Sequence, residues 1–80
     1  MKCYIACWTV MVSYDEPARL LKMKSFVDAS EAVRQSLEFV DVSTKALSAA
    51  ATEELVQEGQ VEVHSPDDSQ SAYIKLVDVL

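Results

Sequence analysis

Residues 2–14 read KCYIACWTVMVSY, a strongly apolar stretch that is rich in β-branched and aromatic residues. Such residues favour strands, and the apolar run within the stretch, Ile5–Val12, is far shorter than the roughly 20 residues that a membrane-spanning helix needs. The polar residues that follow it lack the small-residue cleavage pattern of a secretory signal peptide. We therefore interpret the segment Lys2–Tyr14 as a central β-strand of a cytoplasmic protein that does not contact a membrane.

A second strand is predicted over Leu20–Val27, after a turn at Asp15–Ala18 in which Pro17 presets the backbone. The register that gathers one apolar face places Trp8 opposite Ser25, whereas a shift by one residue would place Lys24 there. We expect the other face to be open to solvent and to form an interface, either between copies of the chain or with a different protein. Its predicted interface residues are Ile5, Cys7, Met11 and Phe26.

The middle of the chain has the periodicity of helices. Asp28–Glu31 resembles a capping box, the poor helical run Asp41–Thr44 predicts a break, and a second helix is predicted from Thr44 to Glu58, closed by Gly59. One continuous helix is the main alternative, and a short strand over Glu38–Val42 is a weaker one. The predicted buried positions are Ala29, Ala32, Val33, Ser36, Leu37 and Val40 in the first helix and Leu47, Ala50, Ala51 and Leu55 in the second.

A second hairpin is predicted from the alternating segment Gln60–His64 and the β-branched segment Ala72–Leu80, joined by the polar loop Ser65–Ser71. The predicted register places Glu62 opposite Lys75 as an ion pair. The order hairpin, helical segment, hairpin predicts a two-layer α+β sandwich. We expect a four-stranded antiparallel sheet with helices on one face, as a single domain over all 80 residues.

No catalytic or cofactor signature is present in the sequence. The single glycine, Gly59, excludes a glycine-rich phosphate loop, and Cys3, Cys7 and His64 cannot supply the four ligands of a zinc site. The two cysteines would lie about 13 Å apart on one strand face, so we expect reduced thiols. A nucleophilic arrangement of Cys7, His64 and Asp67 has no visible activating feature. We expect no enzymatic activity, no cofactor and no metal.

The charge is distributed unevenly along the chain. Residues 1–27 carry four cations and two carboxylates, a net charge of +2, whereas residues 28–68 carry two cations and ten carboxylates, a net charge of −8. The overall charge of −6 disfavours direct binding to nucleic acid. An acidic surface either keeps the protein soluble or attracts a basic partner. The residues predicted to bind such a partner are Glu31, Glu38, Asp41, Glu53, Glu54, Glu58, Asp67 and Asp68.

The segment SFVDASEAVRQSL, from Ser25 to Leu37, is a strand-to-capped-helix junction common to many small phage and bacterial domains. With its small size, its acidity and its order of elements, the chain resembles phage-encoded inhibitors of bacterial defence, the anti-CRISPR and anti-restriction proteins. That resemblance implies stoichiometric inhibition of a nuclease or CRISPR effector subunit by acidic side chains that occupy a site meant for DNA or RNA. The alternative is a structural or assembly subunit that forms a homodimer or larger oligomer through the outer sheet face.

Overall fold

The computed structural model describes residues 2–11, 13, 15–42 and 45–78. In chain order, the elements are β1 (Lys2–Val10), β2 (Arg19–Phe26), α1 (Ala29–Phe39), α2 (Lys45–Glu58), β3 (Gln60–His64) and β4 (Gln70–Asp78). The strands form one antiparallel sheet in the order β2-β1-β4-β3, so β1 and β4 are central and β2 and β3 are the edges. The predicted α+β fold with a four-stranded antiparallel sheet is therefore confirmed.

The core lies between one face of the sheet and the two helices. On the sheet side it is built around Trp8, which pairs with the small residue Ala72 across the β1–β4 ladder and thereby has room for its indole. The indole N–H donates a hydrogen bond of 3.0 Å to the buried Ser36 hydroxyl, and the ring stacks on Phe39 at a centroid distance of 5.1 Å. The other buried hydrophobic residues are Ala6, Ala29, Ala32, Val33, Leu37, Val40, Ala51, Leu55, Val61 and Ile74.

The predicted register between the first two strands is wrong. Trp8 lies opposite Lys22, three residues from the predicted partner Ser25, and this odd shift exchanges the two faces of β2 over residues 22–26. The register shifts again between Trp8 and Thr9, where Thr9 lies opposite Leu20, so Arg19 and Leu20 keep their predicted faces. The physical reason is that β1 ends at Val10, so the chain between β1 and β2 is longer than a tight turn. We predicted that the first strand continues to Tyr14, but Val12 and Tyr14 lie outside the described residues.

Lysines are tolerated on the helix-facing side of β2 because this strand is at the edge of the sheet. The Lys24 ammonium donates a hydrogen bond of 2.9 Å to Gln35 Oε1 and lies 5.6 Å from the centre of the Trp8 ring. A long stem with a polar tip can cover apolar surface in this way, and the aromatic face attracts the charge. The same register places Phe26 opposite Tyr4, on the helix side and against the core, which corrects its predicted place on the outer face.

The helical region contains two helices, so both the continuous helix and the short strand over Glu38–Val42 are wrong. α1 ends where Asp41 adopts a left-handed backbone with φ of 59°, and the Val42 N–H donates to the Leu37 carbonyl at 3.1 Å. This bond closes a Schellman-type end. Asp28 stands at the N-cap but makes no side-chain capping bond, so the capping box does not form. Ser43 and Thr44 lie outside the described residues.

The buried positions predicted for α1 are confirmed, but those predicted for α2 hold only at Ala51 and Leu55. Leu47 and Ala50 are exposed. Ala50 lies about 100° around the helix from Ala51, and α2 packs only on the side that carries Ala51 and Leu55. Neither helix in the described part of the chain is long and apolar enough to cross a membrane.

Gly59 turns the chain from α2 into β3 with a positive φ of 77°. Its N–H donates to the Leu55 carbonyl at 2.9 Å, and its carbonyl accepts from the Leu76 N–H at 2.8 Å. A Cβ atom added here would meet nothing within 4 Å, so backbone strain alone decides the cost of a substitution.

Replacing Gly59 with alanine is therefore expected to lower the free energy of unfolding by about 1 kcal/mol, the cost of a left-handed backbone for a residue with a Cβ atom. Gly59→Asn should cost less, because asparagine tolerates this conformation. Urea denaturation measures both variants. Equal stability of Gly59→Ala and the parent would contradict the left-handed cap.

The second hairpin forms with a register two residues from the predicted one, an even shift that keeps every side chain on its predicted face. Glu62 lies opposite Tyr73 rather than Lys75, so the predicted ion pair is wrong. β4 begins at Gln70 because the loop closes tightly: the Ser65 N–H donates to the Gln70 carbonyl at 2.9 Å, and the Gln70 N–H donates to Ser65 Oγ at 3.0 Å.

Candidate functional site

Two of the predicted partner-binding carboxylates lie on the exposed side of α1, where they share one arginine. Arg34 donates to Glu31 and to Glu38, each at 3.0 Å, one turn away in either direction. Hydrogen bonds from Arg34 and Gln35 lower the pKa of Glu31 to about 2, and the same contact raises the pKa of Arg34. Both carboxylates on this side of α1 are therefore paired with one guanidinium, and the three groups together keep a net charge of −1.

A second group lies at the end of the sandwich, where Asp41 and Asp67 line one groove between the end of α1 and the β3–β4 loop. The Asp67 carboxylate accepts hydrogen bonds from Ser65 Oγ at 2.8 Å and from the Ser69 N–H and hydroxyl at 3.1 Å and 2.7 Å. Those bonds lower the pKa of Asp67 to about 2. Asp67 is thus engaged in closing the loop, while Asp68 is exposed in a left-handed conformation with φ of 60°.

The third group surrounds a concave surface between α2 and the β3 edge, with a volume of about 330 Å³. Glu54 and Glu58, one turn apart on α2, face it together with Glu62 of β3. We call these three residues the acidic cleft. The other described residues that line it are Gln60, Val61 and Tyr73, so neither lysine nor arginine is among them. Of the predicted carboxylates, Glu54 and Glu58 are brought together here, and neither forms a salt bridge within the described residues. Lys75 lies opposite Gln60 on the β3–β4 ladder but does not line the cleft.

Glu62, which also lines this surface, is not among the carboxylates predicted to bind a partner, because the predicted register assigned it to an ion pair with Lys75. Its signal is its place three residues after Gly59, where the turn leads the chain back beside α2. In the structure, Glu62 Oε1 lies 2.9 Å from His64 Nε2. The two side chains form an ion pair only when the imidazole is protonated. Glu53 belongs elsewhere, to an open groove that it lines with Lys45 and Val56.

The outer face of the sheet is not covered by either helix, because the described core residues of β1 and β4 all point the other way. Of the predicted interface residues, Ile5 and Cys7 lie on this face and are half-buried. Met11 follows β1 and is 41% exposed, while Leu20 and Met23 of β2 are each 57% exposed. The β1–β2 half of the outer face is therefore apolar, whereas the β3 half is polar.

The residues weighed for nucleophilic catalysis are not brought together. Cys7 on β1 and His64 on β3 have β4 between them, a separation of about 10 Å at the usual strand spacing. His64 contacts Glu62 instead, and Asp67 is held by serines of its loop. Cys3 and Cys7 are free thiols. Within the described residues, no three His, Cys, Asp or Glu side chains are grouped so that they could hold a metal ion.

Acid is expected to destabilise the fold through Glu31 and Asp67. Because their folded pKa values lie below the usual 4.5 and 3.8, both carboxylates stabilise the protein above those values and cease to do so as the pH falls towards 2. Thermal melts across this window should show a smaller loss of Tm for Glu31→Gln and for Asp67→Asn than for the parent. Glu53→Gln is the matched control and should follow the parent, while parallel profiles for all variants would contradict these contacts.

Comparison of the chain with protein-family models, curated proteins and solved structures finds no match. Any assignment of function therefore rests on the residues themselves.

Proposed function

We propose that this protein is a non-enzymatic binding protein whose acidic cleft engages a basic surface of another protein. The observation that supports this most is the convergence of Glu54, Glu58 and Glu62 on one concave surface whose described lining includes neither lysine nor arginine. The other predicted carboxylates are weaker candidates, since Glu31 and Glu38 share Arg34.

Unpaired carboxylates on a concave surface affect mainly the rate at which a binding partner associates and the choice between partners. A field of one sign attracts a basic partner and repels like-charged ones, and its strength falls as salt is added. Proteins that bind nucleic acid carry basic surfaces where they contact its phosphate backbone. We accordingly propose a partner that binds nucleic acid, such as a nuclease or CRISPR effector subunit. The protein would be its stoichiometric inhibitor, comparable to phage-encoded anti-CRISPR proteins and acting in the cytoplasm, where free thiols such as Cys3 and Cys7 stay reduced.

A pair of matched variants tests this proposal. The cleft variant combines Glu54→Gln, Glu58→Gln and Glu62→Gln, and the control variant combines Asp15→Asn, Glu16→Gln and Asp78→Asn. Each variant removes three exposed carboxylates and therefore changes the net charge equally.

Affinity capture from the native cell, quantified by mass spectrometry, should recover a basic nucleic-acid-binding protein with the parent and with the control variant. Recovery with the cleft variant should fall about tenfold, while both variants keep the parent's circular dichroism. Equal recovery with all three proteins would refute the role of the cleft.

A second candidate function is homo-oligomerisation through the outer face of the sheet. It is favoured by the uncovered apolar half of that face, where Met23 and Leu20 are exposed beside Cys7 and Ile5. Exposed apolar patches on small proteins commonly mark interfaces.

If the outer face is an interface, light scattering should find a dimer that Met23→Lys converts to a monomer. Val56→Lys, at an equally exposed position on α2, should leave it a dimer. A parent that stays monomeric as its concentration rises would rule the interface out.

A further inference from the structure

β2 is an edge strand with one open side. It runs over the eight residues Arg19–Phe26 and pairs only with β1, so the backbone groups on its other side have no strand partner among the described residues. Open edges of this length are templates for the addition of another strand. The opposite edge, β3, is shorter, with five residues.

The two sides of β2 differ in chemistry, and the register assigns its residues to their sides, except Leu21, which has no partner where the register shifts between Trp8 and Thr9. Lys22 lies opposite Trp8 and Lys24 opposite Ala6, so both point to the helix side, whereas Met23 lies opposite Cys7 on the outer face. Lys22 is exposed, and its side chain makes no hydrogen bond or ion pair within the described part of the chain. Lys24 is already bound to Gln35, so Lys22 is the cation that an added strand would meet.

A second copy of the chain does not suit this edge. Antiparallel pairing of β2 with its own copy would place Arg19, Lys22 and Lys24 of both copies along one ladder. Like charges that face each other across a ladder are destabilising. The charge of the edge instead complements a strand with carboxylates on the side that meets Lys22 and aliphatic side chains on the side that meets Met23.

We propose that the β2 edge accepts, by strand addition, an extended acidic segment of another protein in which carboxylate and aliphatic residues alternate. Main-chain hydrogen bonds would supply affinity, and the alternation would supply specificity. This surface is separate from the acidic cleft, which lies at the opposite edge of the sheet and has the opposite charge. The protein would then have two binding edges, one for a basic surface and one for an acidic strand.

The test uses a fluorescent peptide that alternates Glu and Val. It has about seven residues, within the usual range of strand lengths. A peptide alternating Lys and Val serves as its control. Fluorescence anisotropy should show saturable binding of the Glu-Val peptide and none of the Lys-Val peptide. Hydrogen exchange followed by NMR should show new protection of amides in Arg19–Phe26. Lys22→Glu should weaken binding about tenfold, whereas Lys45→Glu, which reverses an exposed cation on α2, should leave it unchanged.

Three results would overturn the proposal. The first is no binding of the Glu-Val peptide to the parent, in which case the edge lysines serve only to keep other strands away. The second is protection confined to β3 or to the outer face. The third is equal weakening by Lys22→Glu and Lys45→Glu, which would indicate a response to net charge. None of them bears on the cleft variant, so the two proposals fail separately.

Discussion

Trp8→Ala is expected to lower the free energy of unfolding by about 3–5 kcal/mol, the usual cost of removing a buried tryptophan. The indole fills the space beside Ala72, stacks on Phe39 and donates to Ser36, so one substitution removes packing and a buried hydrogen bond together. A domain of this length has a total stability of roughly 4–12 kcal/mol. The variant should therefore lose at least about a quarter of the total stability, and urea denaturation should show a transition midpoint well below that of the parent.

A double-mutant cycle separates the hydrogen bond from the packing. Trp8→Phe keeps an aromatic ring in place but removes the only side-chain donor to the buried Ser36 hydroxyl in the described structure, at an expected cost of about 1–3 kcal/mol. Ser36→Ala should be far less costly in the Trp8→Phe background than in the parent. Additive effects would show that the bond between the two layers does not form.

Leu55→Ala is expected to lower the free energy of unfolding by about 2–5 kcal/mol. Leu55 is fully buried and, with Ala51, is one of only two buried residues among the described positions of α2. Its neighbour Val56 is 61% exposed and provides the matched control. Val56→Ala should change stability by no more than about 0.5 kcal/mol. Similar losses in the two variants would mean that α2 is rotated relative to the structure described above.

The order of elements and the core of α1 could be predicted because local patterns determine them. The spacing from Ala29 to Val40 is that of one helical face, and the poor helical run at Asp41–Thr44 marks the break between helices. The register of β2 could not be predicted in this way. We treated a lysine opposite Trp8 as unfavourable, yet at an edge strand Lys22 reaches water and Lys24 reaches Gln35. Only the tertiary arrangement brings Lys22 to solvent and Lys24 beside Gln35.

The acidic residues were predictable as a group but not in their individual roles. The pairing of Glu31 and Glu38 with Arg34 had a signal in the sequence, since Arg34 follows one by three residues and precedes the other by four. The engagement of Asp67 by Ser65 and Ser69 depends on how tightly the β3–β4 loop closes. The acidic cleft depends on the docking of α2 beside β3, a long-range contact that no local pattern encodes.

The acidic cleft is tested most directly by titrating a fluorescent oligolysine peptide against the parent, the cleft variant and the control variant at low and moderate salt. We predict that the control variant binds the peptide as the parent does. The cleft variant should bind about tenfold more weakly and with a flatter dependence on salt. Equal weakening in both variants would contradict the account, because the carboxylates would then act through net charge alone and the cleft would not be a binding site.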